Sequence, residues 1–198
     1  MMPMFTRSES FSQFIRFYPA VSLITAICAV LYAATVLPIL PAIDIFTALS
    51  GVNFLISEGE YWRLVTPIFM HASFTHILFN VFTLIIIGPG IESLAGTMRF
   101  VLLFLLSGIL ANVLTLLTMP PMYVHVGASG AIFGLFGCYA YILLYKKHLM
   151  SRQNSQTIFA LIAISVVLSF MQPSVNVVGH IGGLACGFLL APLFLNKK

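Results

Sequence analysis

Apolar residues dominate six segments of the chain, and polar residues or prolines separate these segments. They run from about 20 to 40, 73 to 92, 98 to 118, 129 to 145, 157 to 171 and 178 to 195. Crossing the hydrocarbon core of a bilayer as a helix takes about 20 mostly apolar residues. Pro120 and Pro121 end the third segment, and Pro173 follows the fifth. The pattern predicts an all-α polytopic membrane protein, a bundle of six transmembrane helices.

The connection between the first two predicted spans, roughly Pro41 to Ala72, is also rich in apolar residues. These recur at near-helical spacing, and Tyr61, Trp62 and Arg63 follow them. Such aromatic and basic side chains are typical of the membrane–water boundary. We therefore expect a membrane-embedded first loop that contains an interfacial helix and braces the bundle.

Composition supports a membrane location. The chain has 198 residues, of which 60% are hydrophobic and 7% charged, whereas soluble domains carry about 25% charged residues. The net charge of +4 is too small and too scattered to indicate a nucleic-acid partner. Cys28, Cys138 and Cys186 lie within apolar runs, without disulfide or zinc spacing, so we interpret them as packing residues.

Basic residues predict the orientation in the membrane. Of the nine Lys and Arg residues, one face of the predicted bundle carries only Arg63. The other face carries Arg7, Arg16, Arg99, Lys146, Lys147, Arg152, Lys197 and Lys198. Because basic loops stay in the cytoplasm, we expect cytoplasmic residues 1–19, a six-helix domain over 20–195 and a cytoplasmic tail over 196–198. In a prokaryote the membrane would be the plasma membrane.

Ser129 stands between small residues, in Gly127-Ala128-Ser129-Gly130, where the fourth span begins. The first N–H groups of a helix lack internal partners and face any negative charge that develops there. The motif therefore fits a nucleophile beside oxyanion donors. Taken alone, it is more typical of close helix packing.

Three further polar residues are predicted to lie at a similar depth to Ser129. His180 begins the sixth span, and His76 and Asn80 lie one turn apart in the second span. Polar residues inside a bilayer usually face the bundle interior or a water-filled cavity. One such residue is more often an interhelical contact than a catalyst, but four together favour a site. His125 and His148 fall in loops, and we assign them no role.

Glycines on the fourth and sixth spans are spaced for close helix packing. They include Gly130, Gly134 and Gly137 on one span and Gly179, Gly182, Gly183 and Gly187 on the other. Such packing would bring His180 within hydrogen-bond reach of Ser129, as a nucleophile and its base require. Phe133, one turn after Ser129, would stack on the ring of His180.

Acidic residues are few, which limits the catalytic mechanisms that the chain can support. They are Glu9, Asp44, Glu58, Glu60 and Glu92, and none lies in the last three spans. A carboxylate partner for His180 is therefore not expected, and a Ser-His dyad is the catalytic arrangement that the sequence offers. The chain lacks a His-Glu-x-x-His zinc motif, and we expect no metal or cofactor. Glu92, at the inner end of the second span, is interpreted as structural.

The motifs together resemble those of the rhomboid intramembrane serine proteases over about residues 60–191. They are Tyr61-Trp62-Arg63, His71-x4-His76-x3-Asn80, Gly88-x-Gly90-x-Glu92-x3-Gly96, Gly127-Ala128-Ser129-Gly130 and Gly179-His180-x2-Gly183-x3-Gly187. The resemblance implies that Ser129 is the nucleophile and His180 the general base. It also implies an oxyanion hole of His76, Asn80 and the Ser129 N–H. Supporting roles fall to His71, Gly127, Gly130, Phe133, Gly183 and Gly187.

The same resemblance implies an endopeptidase that cleaves transmembrane or juxtamembrane segments of other membrane proteins. Substrate would enter laterally as the fifth span and the cap over residues 172–177 shift. Phe133 stands where family members often have Tyr, so stacking is kept and a hydroxyl is lost. A non-catalytic rhomboid-like binder of transmembrane helices is the alternative. A transporter would need inverted repeats or broken helices, which the sequence does not show.

Overall fold

The computed structural model describes residue 5 and residues 8–37, 41–172 and 175–195, which form a helical bundle. Its helices are α1 (Phe11–Phe17), α2 (Pro19–Val36), α3 (Ala42–Leu49), α4 (Asn53–Ser57), α5 (Phe74–Ala95), α6 (Thr97–Thr118), α7 (Ser129–Tyr145), α8 (Arg152–Met171) and α9 (Val177–Leu195). Short 3-10 helices cover Tyr61–Leu64, Thr66–Phe69 and Lys147–Leu149. Two short strands, β1 (Gly51–Val52) and β2 (Val124–His125), pair antiparallel.

The predicted all-α, multi-pass fold is confirmed. Within the described residues, α2, α5, α6, α8 and α9 are long and apolar enough to cross a membrane, and α7 is a shorter apolar helix of 17 residues. Helix α8 begins at Arg152, earlier than predicted, because Ser151 Oγ accepts the N–H of Asn154 and caps a polar first turn. Arg7, Pro173, Lys197 and Lys198, and the predicted tail 196–198, lie outside the described residues. The domain boundaries stay a prediction.

The first loop is built differently from the single interfacial helix that its spacing predicts. It contains α3 and α4, separated where Gly51 and Val52 extend to pair with β2. Arg63 is buried among them, and its guanidinium donates to the carbonyls of Thr47 and Ser50. The pairing of β1 with β2 brings this loop to the end of the bundle where α7 begins.

Glu92 is structural, as predicted, and it caps a helix. It is 3% exposed, and its carboxylate accepts the backbone N–H groups of Ala20 and Val21, each at 3.0 Å. These are first-turn N–H groups of α2, which lack intrahelical partners. The carboxylate also accepts the hydroxyl of Thr97. Glu92 thereby joins the ends of α2, α5 and α6.

Helices α7 and α9 are in backbone contact through their glycines. A Cβ at Gly183 would overlap the carbonyl oxygen of Gly130, and one at Gly187 would overlap that of Gly134. A side chain at either position would therefore force the two helices apart. This contact sets the position of the start of α9 relative to the start of α7.

We expect Gly187→Ala to lower the stability of the bundle. Alanine favours a helix over glycine by up to about 1 kcal/mol, but overpacking a close contact costs about 1–3 kcal/mol, so the net effect is destabilising. The midpoint of thermal unfolding in detergent would fall. Leu189→Ala on the same helix, where the side chain is 71% exposed, is the control and should leave the midpoint nearly unchanged. An unchanged midpoint for Gly187→Ala would contradict the observed contact.

Candidate active site

A cavity of about 700 Å³ is lined by residues of α5, α7, α8 and α9. Its lining includes Ser129, His180, His76, Asn80 and Phe133, which are five of the residues predicted from the sequence. His180 and Asn80 are 9% and 8% exposed, whereas Ser129 is half-buried. The fold therefore gathers polar side chains from three separate helices around one space.

The backbone before Ser129 explains its position at the start of α7. Gly127 has φ of +123°, a conformation that residues with a Cβ rarely adopt, and its N–H donates to the carbonyl of Pro67 at 2.8 Å. Ala128 is the N-cap of α7 and offers no side-chain hydrogen bond, unlike the serines that cap α5 and α8. The first N–H groups of α7 therefore have no capping side chain, and Ser129 lies beside them.

His180 is held by two contacts from neighbouring helices. Its ring stacks on Phe133 of α7, with centroids 4.2 Å apart and planes 15° from parallel, as the sequence predicts. Its Nδ1 lies 2.7 Å from Ser169 Oγ of α8. Ser129 and His180 line the same cavity, but no hydrogen bond joins their side chains within the part of the chain that the structure describes. Catalytic hydrogen bonds often form only once substrate is bound, so the dyad stays a prediction.

His76 and Asn80 lie near Ser129 on α5. A Cβ at Gly127 would be 2.6 Å from His76 Nε2 and 3.7 Å from Ser129 Oγ, so the imidazole and the hydroxyl lie against the same glycine. The amide of Asn80 donates one hydrogen to the carbonyl of His76 at 2.9 Å. An amide nitrogen carries two hydrogens, so the second is left for a ligand in the cavity.

His71 lies behind His76, outside the cavity lining. The two rings meet edge to face with centroids 5.1 Å apart, and His71 is 1% exposed. Burial, with a smaller contribution from the neighbouring His76, lowers the pKa of His71 to about 4. His71 is therefore neutral at physiological pH, and its ring packs against that of His76, while its supporting role stays a prediction.

Polar residues that line the cavity, and to which sequence reasoning gave no individual role, include His125, Ser169 and Asn176. His125 was assigned no role, yet it is 7% exposed, and burial lowers its pKa to about 4. Asn176 accepts the N–H of Gly179 and donates to Thr115, so it fixes the start of α9. The signal for Ser169 was its i, i+4 spacing from Ser165 in an otherwise apolar span.

The fold and the cavity define a multi-pass membrane protein with a polar site between its helices. A family model for the Rhomboid domain matches residues 58–197. The chain is 44% identical over 195 residues to "Putative rhomboid protease YdcA" of Bacillus subtilis (strain 168), covering 98% of both chains. It is 37% identical over 139 residues to "Rhomboid protease GluP" of the same organism, covering 70% of this chain and 27% of GluP.

A third relative is "Rhomboid-like protease 1" of Toxoplasma gondii, 35% identical over 170 residues that cover 83% of this chain and 57% of that protein. The match to the family model extends over most of the chain. The chain belongs to the rhomboid family, as its motifs indicated. The family and the protease names of these relatives support an intramembrane protease.

Proposed function

We propose that this protein is a serine endopeptidase that cleaves transmembrane or juxtamembrane segments of other membrane proteins through a dyad of Ser129 and His180. The observation that carries the proposal is the shared cavity. It is lined by Ser129, at the uncapped start of α7, and by His180. The ring of His180 is stacked on Phe133, which lies one turn after Ser129 on α7. The non-catalytic binder of transmembrane helices is the competing outcome of the test below.

The chemistry follows from these positions. Ser129 Oγ attacks the scissile carbonyl carbon while His180 takes the hydroxyl proton. The imidazolium returns that proton to the leaving amine, and an acyl-enzyme remains on Ser129. Water then attacks the ester, with His180 again as the base, and the carboxylate product leaves. No metal or cofactor enters any of these steps.

The negative oxygen of the tetrahedral intermediate needs donors placed in advance. Three candidates border the cavity, namely the Ser129 N–H, the free amide hydrogen of Asn80 and the ring of His76. His76 and Asn80 share one face of α5 because they are four residues apart. We assign them to the oxyanion hole.

Lateral entry of substrate is favoured beside α8. Only 17% of the most apolar 18-residue stretch of α8 is buried, against 50% for the corresponding stretch of α5. The buried residues of α8 are Asn154, Ile158 and Ser169. A helix with so little buried surface costs least to displace. We therefore propose that a substrate helix approaches the cavity between α8 and α5. The adjoining cap includes residues 173 and 174, which lie outside the described residues.

A fluorophosphonate probe applied to the protein in liposomes tests the serine mechanism. We expect one labelled peptide, containing Ser129, and we expect the probe to block cleavage of a transmembrane test substrate. A chelator should leave cleavage unchanged. Substrate binding without labelling and without cleavage would favour the non-catalytic binder and overturn the proposal.

We also propose that both termini are cytoplasmic, because eight of nine basic residues fall on that predicted face. Cysteine tags at residue 150 and at either terminus should resist an impermeant thiol reagent in intact cells. A tag at Ser57, in the first loop, should react. These assays would be run with Cys28, Cys138 and Cys186 replaced, and a reactive C-terminal tag would contradict the even number of spans.

A further inference from the structure

His180 has a hydrogen-bond partner to which the dyad assigns no role. Ser169, near the end of α8, is 3% exposed, and its Oγ lies 2.7 Å from His180 Nδ1. The same oxygen lies 2.8 Å from the backbone carbonyl oxygen of Ser165, one turn earlier. Ser169 is therefore fixed between a histidine nitrogen and a carbonyl oxygen.

The two short distances determine which group donates. A serine hydroxyl has one hydrogen, and a carbonyl oxygen only accepts. Both hydrogen bonds form together only if Ser169 donates to the carbonyl of Ser165 and accepts from an N–H at Nδ1 of His180. The proton of the neutral ring then lies on Nδ1, and Nε2 keeps its lone pair.

This is the tautomer that the proposed base needs. In serine proteases of the triad type, an aspartate accepts from Nδ1–H, and the other ring nitrogen takes the proton of the nucleophile. No acidic residue occurs in α7, α8 or α9. A hydroxyl that donates its own hydrogen bond to a carbonyl can accept a hydrogen bond from Nδ1–H in the same way as the aspartate. It can do so both before and after Nε2 is protonated.

We infer that Ser169 is a positioning residue for His180. It holds the ring in the Nδ1–H tautomer, with Nε2 free to act as the base, while Phe133 fixes the plane of the ring. The inference rests on the proposed function for its catalytic consequence, whereas the tautomer is a property of the resting protein. Because Ser169 belongs to α8, the orienting bond exists only while α8 is packed against the start of α9.

The test compares Ser169→Ala with Ser169→Thr, which keeps the hydroxyl. Loss of an outer partner that orients a metal-bound histidine costs about 10–100-fold in metal affinity or activity, and we expect the same order where the oriented histidine is a base. We expect Ser169→Ala to lower kcat by about that factor per folded molecule with little change in KM, and Ser169→Thr to restore most of it. Ser155→Ala is the matched control, because the Ser155 hydroxyl on α8 donates to the carbonyl of Ser151, four residues earlier, and makes no hydrogen bond to a histidine among the described residues. It should leave kcat unchanged.

A spectroscopic measurement separates positioning from packing. In protein labelled with ¹⁵N-histidine, the His180 resonances, identified by their loss in His180→Asn, should show protonated Nδ1 in the wild type. Ser169→Ala should shift them toward protonated Nε2. Wild-type kcat for folded Ser169→Ala, or an unchanged tautomer, would overturn the inference. If the wild type is neither labelled at Ser129 nor able to cleave, the proposed function fails, and the tautomer still decides the role of Ser169.

Discussion

Ser129→Ala is expected to reduce cleavage of a transmembrane substrate by about 10⁶-fold, the loss typical when a serine protease loses its nucleophile. The reason is chemical, because alanine offers no oxygen to attack the scissile carbonyl. The fold should be unaffected, since Ser129 Oγ makes no hydrogen bond within the part of the chain that the structure describes and the side chain is half-buried. Cleavage would be measured in liposomes by mass spectrometry of the products, together with thermal unfolding in detergent.

Ser22→Ala is the matched serine control. The Ser22 hydroxyl on α2 donates a hydrogen bond to the carbonyl of Tyr18, and Ser22 lies outside the cavity lining. Loss of this hydroxyl should therefore leave turnover intact. Purification of Ser129→Ala from cells that contain no other rhomboid removes a contaminating activity from the comparison. Cleavage by Ser129→Ala at the rate of the wild type would show that the nucleophile is elsewhere.

Asn80→Ala is expected to lower kcat by about 10²–10³-fold, or roughly 3–4 kcal/mol, the usual cost of losing one oxyanion donor. The fold should lose little. The hydrogen bond that Asn80 makes in the resting structure joins it to the carbonyl of His76 within the same helix. Membrane hydrogen bonds contribute about 0.6 kcal/mol on average. Turnover and thermal unfolding, measured on the same preparations, separate the two roles.

Asn53→Ala should give the opposite result. Asn53 begins α4 and is buried, and its amide donates to the carbonyls of Thr115, Met119 and Pro120, which ties the first loop to the end of α6. Its loss should lower the unfolding midpoint and spare kcat per folded molecule. Substrate binding to Asn80→Ala, measured with Ser129→Ala also present, should change far less than turnover does. Early unfolding with near-normal turnover of Asn80→Ala would make Asn80 a structural contact and remove it from the oxyanion hole.

The same comparison applied to His76→Ala should show a similar loss of kcat. A larger fall in stability is expected there, because the ring of His76 packs against His71 and Gly127. The two variants together distinguish donors to the intermediate from residues that only hold α5 in place.

The sequence by itself determined the class, the spans and the family. Runs of apolar residues long enough to cross a bilayer depend on local composition alone, which is why α7 was predicted with the bounds that the structure gives it. The scarcity of acids in the last three spans and the motifs around Ser129 and His180 are likewise visible along the chain. The glycine spacing predicted the close contact of α7 and α9, because small residues at helical intervals have few other uses inside a membrane.

Only the tertiary structure decided which side chains meet across helices. The pairing of Ser169 with His180, the capping of α2 by Glu92 and the extended backbone of Gly51 and Val52 all depend on the rotation and depth of one element against another. Hydropathy does not encode that rotation, because a helix buried among other helices and lipid is apolar on every face. His125 was missed for the same reason, since its burial beside the cavity follows from the pairing of β2 with a strand more than 70 residues earlier.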